Sequence, residues 1–153
     1  MINRYKTLGD LPRIPKEIWL KIGVGLIDRI RKDASKGISQ DDSDPTFADY
    51  DIDYKDFKSR GDAVDGRATD SQVEPPNLKF TGDMLKLIEA ERPTEHGVTI
   101  SFKFGTRVLD NIEIKNRNIF DIRAKNMEWA KAMVLQQVQA NAKGLPKKTT
   151  IKI

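Results

Sequence analysis

Apolar residues recur at helical spacing near the start of the chain. Pro15 suits a first helical turn and Gly37 suits a stop, so we predict a helix over residues 15–35. Gly23 and Gly25 each weaken such a helix by about 1 kcal/mol relative to alanine. They indicate either close packing against a neighbour or simple tolerance. The apolar stripe consists of Ile18, Trp19, Ile22, Leu26, Ile27, Ile30 and Ala34.

Residues 38–77 have neither a helical nor a strand period and are rich in Asp, Ser, Gly and Pro. We call this segment the arm. Structureless connections longer than about 15 residues are uncommon inside compact domains and usually serve a function. Four aromatic residues interrupt the polar sequence, whereas disordered linkers are poor in aromatics. We therefore expect part of the arm to be anchored. These aromatics are Phe47, Tyr50, Tyr54 and Phe57.

Two apolar runs after the arm predict a β-hairpin. The first, around Met84, Leu85, Leu87 and Ile88, fits a strand or a short helix, and we prefer a strand. The second is clearer, because apolar and polar residues alternate over 98–104 and a turn sequence precedes them. A further run over 108–114 could add an edge strand.

The last helix is predicted from Asn126, as its N-cap, to about Ala142. Gly144 and Pro146 then end it. The tail, residues 143–153, is basic and β-prone, so it could pair with a sheet edge of its own chain or of a neighbour. The apolar stripe consists of Met127, Ala130, Met133, Val134, Val138 and Ala142.

Length predicts one domain over residues 1–153, and the predicted order of helix, arm, small antiparallel sheet and helix makes it α+β. The chain is 38% hydrophobic and 7% aromatic, so its core must be mostly aliphatic. Without cysteine it can form no disulfide, which fits assembly in a reducing cytoplasm. We find no signal peptide and no membrane span, and therefore expect no membrane partner.

The aspartates of the arm are the candidate metal ligands. Asp49, Asp51 and Asp53 have the alternating spacing that begins a calcium loop. An EF-hand would then need glycine and glutamate where this chain has Tyr54 and Arg60. We therefore expect no metal, and interpret the aspartates as a solvated acidic surface.

The sequence also contains no recognisable catalytic motif. His96 is the sole histidine and lies in a predicted turn, so a triad or a two-histidine zinc site would lack its other members. Gly23 and Gly25 are not followed by the third glycine of a dinucleotide motif. Carboxylate pairs such as Glu89 and Glu91 are common in so charged a chain. We expect no catalytic residue and no cofactor.

Nucleic-acid binding is the alternative function. The net charge is only +4, with 27 basic and 23 acidic residues. The basic residues near the C-terminus could contact phosphate, but no aromatics are interleaved with them. We interpret any DNA contact through them as incidental. These residues are Lys143, Lys147, Lys148 and Lys152.

The order of motifs resembles the tail-completion, or virion-morphogenesis, proteins of tailed bacteriophages. In that family a G…F…Y…K arm precedes a leucine-x-x-threonine-glycine-x-leucine element and, before the last helix, an arginine-proline-phenylalanine element. The third element is echoed by residues 117–120, with Asn118 in place of proline. The resemblance covers residues 15–142. The residues that resemble the first two elements, with slightly different spacing in the second, are Gly37, Phe47, Tyr50, Tyr54, Lys58, Leu78, Thr81, Gly82 and Leu85.

The resemblance implies a structural virion protein of the neck or tail, assembled in the host cytoplasm. It implies a homo-oligomeric ring of about six copies, a head-tail joining subunit between head-side connector proteins and tail tube or terminator proteins. We expect the arm and the tail to make the subunit contacts, and removal of residues 40–60 to leave a folded monomer. The interface residues expected on this basis are Phe47, Tyr50, Tyr54, Phe57, Thr150, Ile151 and Ile153.

Overall fold

The chain has an α+β fold, as the sequence predicts. The computed structural model describes residues 14–77, 83–103 and 119–143. The predicted edge strand over 108–114 and residues 144–153 of the predicted tail lie outside these residues. In chain order the elements are α1 (Lys16–Ser35), α2 (Ile52–Ser59), α3 (Asp83–Lys86), β1 (Ile88–Glu91), β2 (Thr99–Phe102) and α4 (Ala124–Lys143).

Helix α1 forms because one of its faces is continuously apolar. Its stripe is buried against the hairpin and α4, which compensates for the two glycines in the helix. The helix ends where predicted, since Gly37 adopts a left-handed φ of 72°. A Cβ there would also collide with the carbonyl oxygen of Pro76, so the position favours glycine twice over.

The two glycines of α1 are sites of close packing, as one of the two interpretations predicted. A Cβ on Gly23 would lie 3.0 Å from both Ala90 and Val98 of the hairpin. A Cβ on Gly25 would overlap the indole of Trp129. The absence of side chains at these positions therefore lets α1 approach both the sheet and α4.

The predicted hairpin is confirmed, with a correction to its first half. Strands β1 and β2 are antiparallel, and Ile88 lies opposite Phe102. The run that we expected to be wholly strand begins instead as α3, and only Ile88–Glu91 is extended. Arg31 explains this change of conformation, since its guanidinium donates to the carbonyl oxygens of Leu85 and Ile88, at 2.9 and 3.1 Å.

Helix α4 begins two residues before the predicted cap, at Ala124. Asn126 therefore lies inside the helix, and its buried side chain donates to Asp33 of α1 at 2.9 Å. Ala130 of α4 packs against Ile22 and Leu26 of α1. This packing forms a second apolar cluster between the two long helices.

The main hydrophobic core contains residues from α1, the arm, α3, β1 and the segment before α4. Phe47 contributes the arm's part of this core and is only 5% exposed. The arm is thus a component of the fold. The core's buried members are Ile27, Ile30, Ala34, Phe47, Leu85, Ile88 and Ile119.

Candidate functional site

The arm is ordered around a buried lysine. Lys58 on α2 is 1% exposed, and its ammonium donates to the Tyr50 hydroxyl at 2.9 Å and to the side-chain oxygen of Asn77. The Tyr50 hydroxyl also donates to the Asn77 backbone carbonyl and accepts from the Asn77 backbone N–H at 2.9 Å. The group joins three points of the arm that are far apart in sequence. We call Tyr50, Lys58 and Asn77 the arm anchor.

The arm anchor explains why α2 is a helix although its sequence has no apolar period. A buried amine must be hydrogen-bonded, or its burial costs several kcal/mol. The ammonium of Lys58 also lies 4.8 Å from the centre of the Tyr50 ring, a cation–π contact. Polar contacts therefore replace the apolar stripe that usually holds a surface helix. This helix corrects our expectation that residues 38–77 contain none.

Replacing Lys58 by methionine is expected to lower the free energy of unfolding by about 1–3 kcal/mol, because Tyr50 and Asn77 would lose a buried donor. The matched control is Lys55→Met, since Lys55 lies on the same helix and its side chain is 38% exposed. Urea unfolding at neutral pH measures both. Equal stability of the Lys58 variant and the unmodified chain would contradict the anchoring role.

Opposite Lys58, α2 presents an exposed surface of mixed character. Ile52 is 85% exposed and Phe57 is 39% exposed. Asp53 and Asp56 are also exposed, and one helical turn separates Ile52 from Asp56 and Asp53 from Phe57. We call Ile52, Asp53, Asp56 and Phe57 the α2 outer face. On this helix the isoleucine is exposed and the lysine is buried, which is the reverse of where the two residue types usually lie.

The structure separates the expected interface residues into three groups. Phe47 and Tyr50 are buried in their own chain, at 5% and 8% exposure, so they are not available to fill a neighbour's pocket. Tyr54 and Phe57 are exposed at 38% and 39%. The expected tail residues lie outside the described part of the chain; they are Thr150, Ile151 and Ile153.

We did not predict Ile52 as an interface residue, although the sequence marks it: apart from alanine, it is the single aliphatic residue between Pro45 and Ala63.

We also expected from the sequence that removal of residues 40–60 leaves a folded monomer. The structure argues against this, because the deletion would remove Phe47 from the core and both Tyr50 and Lys58 from the arm anchor.

A second polar cluster joins the arm to α1 and α4. The Asp33 carboxylate accepts from Gln40 at 3.1 Å and from Asn126 at 2.9 Å. Asn126 also donates to the side-chain oxygen of Gln40, and both side chains are buried. This cluster fixes the start of the arm over the junction of the two long helices.

Asp42 of the arm takes the N-capping role that the sequence assigned to Asn126. Its carboxylate accepts from the backbone N–H of Ala124 at 2.7 Å and from the Arg123 guanidinium at 3.2 Å. The Ala124 N–H, and secondarily Arg123, lower the pKa of this carboxyl from its ordinary 3.8. The charged form is therefore the one that stabilises the folded chain.

Replacing Asp42 by alanine is expected to lower the melting temperature at neutral pH, since the first turn of α4 would lose its cap. Because the folded-state pKa lies below the unfolded value, the contribution is present above the unfolded pKa and is lost as pH falls through the folded one. The difference from the unmodified chain should therefore shrink below about pH 4. Asp53→Ala, on the α2 outer face, is the control. A difference independent of pH would contradict the assignment.

An apolar cavity of about 350 Å³ lies between α1, the hairpin and α4. Within the described residues its lining is hydrophobic and contains no titratable side chain. Trp19 forms one wall, and its indole N–H donates to the Glu95 carbonyl oxygen at 3.0 Å. The lining includes Trp19, Leu26, Ile100, Phe102, Met127 and Ala130.

The described residues contain no group of three or more His, Asp or Glu side chains placed to hold a metal ion. Asp49, Asp51 and Asp53 therefore do not form a ligand set. His96 is exposed in the turn between the strands, where its backbone N–H donates to the Thr94 hydroxyl at 3.1 Å. None of the helices in the described ranges is both long and apolar enough to cross a membrane.

Comparison of the chain with protein-family models, with curated proteins and with solved structures finds no match.

Proposed function

We propose that the chain is a non-enzymatic structural subunit of a bacteriophage neck, a tail-completion or head-tail joining protein that assembles as a ring. The observation that carries this proposal is the α2 outer face. It exposes Ile52 and Phe57 on a helix that is held from behind by a buried lysine. A helix that exposes apolar side chains can bind through them to an apolar groove of a partner.

The motif that resembles the phage family gives further support. Gly37 ends α1 against Pro76, Phe47 enters the core, and Tyr50 and Lys58 form the arm anchor. Four of the residues that carry the resemblance therefore hold the arm in place. Together they leave α2 exposed at the surface, as expected of an arm that makes subunit contacts.

The proposal is tested by removing the gene from the phage that encodes the chain. We expect infected cells to accumulate separate heads and tails in electron micrographs, and a plasmid copy of the gene to restore joined particles. Joined, infectious particles in the absence of the gene would overturn the proposal.

A further inference from the structure

The charges of the chain are strongly separated. Residues 38–77 contain eleven acidic and four basic side chains, a net charge of −7, whereas the whole chain has +4. The remaining residues therefore have a net charge of +11. Two of the arm's ion pairs are internal, Lys55–Glu74 and Arg60–Asp56 at 3.3 Å. A third joins Arg123 of the segment before α4 to Asp42.

Part of the positive charge lies along one side of α1. Lys21, Arg29, Lys32 and Lys36 follow one another at spacings close to whole helical turns, with Gly25 between the first two. We call these four residues the basic stripe. Its three lysines are exposed, and no ion pair joins them to another described residue.

One residue of the basic stripe contacts α4, and exposed aliphatic residues lie next to the stripe. The Arg29 guanidinium lies 4.4 Å from the centre of the Trp129 ring, which fixes it against α4. Leu20 and Val24 lie beside the stripe and are 39% and 48% exposed. The nearby carboxylate of Asp28 is 3.7 Å from Arg31. The surface thus combines lysines that are in no described ion pair with exposed aliphatic side chains.

We propose that the α2 outer face of one copy binds the basic stripe of a second copy. Both surfaces combine exposed apolar residues with charge of opposite sign. On the α2 outer face Asp56 is also paired with Arg60 at 3.3 Å, and Asp53 is in no described ion pair. Among the described residues, no ion pair joins Asp53 or Asp56 to the stripe, so the two surfaces do not neutralise each other within one chain. The contact is head-to-tail, since the two surfaces differ, and repetition of it closes a ring or extends a filament.

This inference rests on the proposed function and names the surface that the arm contacts. Its test uses two charge-reversed variants of the full chain, Asp53→Lys/Asp56→Lys and Lys32→Glu/Lys36→Glu. All four positions are exposed, so circular dichroism should show an unchanged fold. Alone, each variant should associate at least about tenfold more weakly than the unmodified chain, because like charges then face each other.

An equimolar mixture of the two variants should recover assembly. The reversed α2 of the first then meets the reversed stripe of the second, and the unmodified α2 meets the unmodified stripe. Light scattering after size-exclusion chromatography measures this. Recovery supports the inference. Variants that assemble singly like the unmodified chain, or a mixture that stays monomeric, would overturn the inference alone.

Two further outcomes concern the ring and the ligand of the basic stripe. If the unmodified chain stays monomeric at every concentration, the ring itself fails, and with it both the proposed function and the contact. If Lys32→Glu/Lys36→Glu assembles normally but loses salt-dependent binding of a short DNA duplex in fluorescence anisotropy, the stripe binds nucleic acid and the inference is wrong.

Discussion

Replacing Ile52 and Phe57 together by alanine is expected to weaken self-association by at least about 100-fold, or roughly 2.7 kcal/mol. Both side chains are exposed in the isolated chain, Ile52 by 85%, so their removal costs the monomer little packing. In the assembled state they would be buried apolar groups, and truncating them would remove that burial. Sedimentation velocity across a concentration series gives the dissociation constants.

The matched control is Leu135→Ala. Leu135 is 57% exposed on α4, outside both the α2 outer face and the basic stripe. It tests whether loss of any exposed aliphatic side chain weakens association. Equal effects of the control and the double variant would contradict a specific role for α2, and so would normal association of the double variant.

Replacing Phe47 by alanine is expected to lower the free energy of unfolding by about 3–5 kcal/mol. The ring is buried in the main core with Ile27, Ile30 and Ile119, so its removal would leave a cavity beneath the arm. Since the backbone N–H of Phe47 also donates to the Gly37 carbonyl at 2.8 Å, the site cannot collapse freely. Chemical denaturation measures the loss.

Phe57→Ala is the direct control, because it makes the same chemical change at an exposed position of the same segment. It should cost the monomer well under half as much. A similar loss in both variants would mean that the arm is not docked through Phe47. A Phe47 variant of nearly unchanged stability would lead to the same conclusion.

The two predictions concern two functions of the arm: attachment to its own chain and contact with another copy. Phe47 and the arm anchor fix the arm to its own chain, and the α2 outer face remains exposed. A variant of the first kind should lose stability and assembly together. A variant of the second kind should lose assembly while the chain remains folded.

The long helices and the hairpin were predictable because burial of one face imposes a period on the sequence. The stripe of α1 and the alternation in β2 both follow from contact with a shared core. The end of α1 was predictable for a local reason, since Gly37 adopts a left-handed conformation that favours glycine.

Helix α2 was not predictable from periodicity, because it turns Lys58 inward and Ile52 outward. Its buried face is held by hydrogen bonds that Lys58 donates to residues 8 and 19 positions away. Contacts at these separations leave no periodic pattern in the local sequence. The same reason explains the division of the aromatics. Tyr50 and Tyr54 are in contact, with ring centres 5.0 Å apart. Tyr50, whose hydroxyl bonds to the Asn77 backbone, is buried, whereas Tyr54 is 38% exposed.

The start of α4 was misassigned because long-range contacts compete with local capping. Asn126 is a good N-cap residue by type, but its side chain binds Asp33, 93 positions earlier in the sequence. Asp42 caps the helix instead, from 82 positions away. Such exchanges of role can be recognised only when the tertiary contacts are known.

If this chain is the self-assembling structural subunit that we propose, the solution mass of the purified protein will show it. Multi-angle light scattering of the full-length chain at moderate ionic strength should give a mass several times the monomer's 17.4 kDa. The mass should fall towards the monomer as salt is raised, because the proposed contact pairs opposite charges. A mass of one monomer at every protein and salt concentration would contradict this claim.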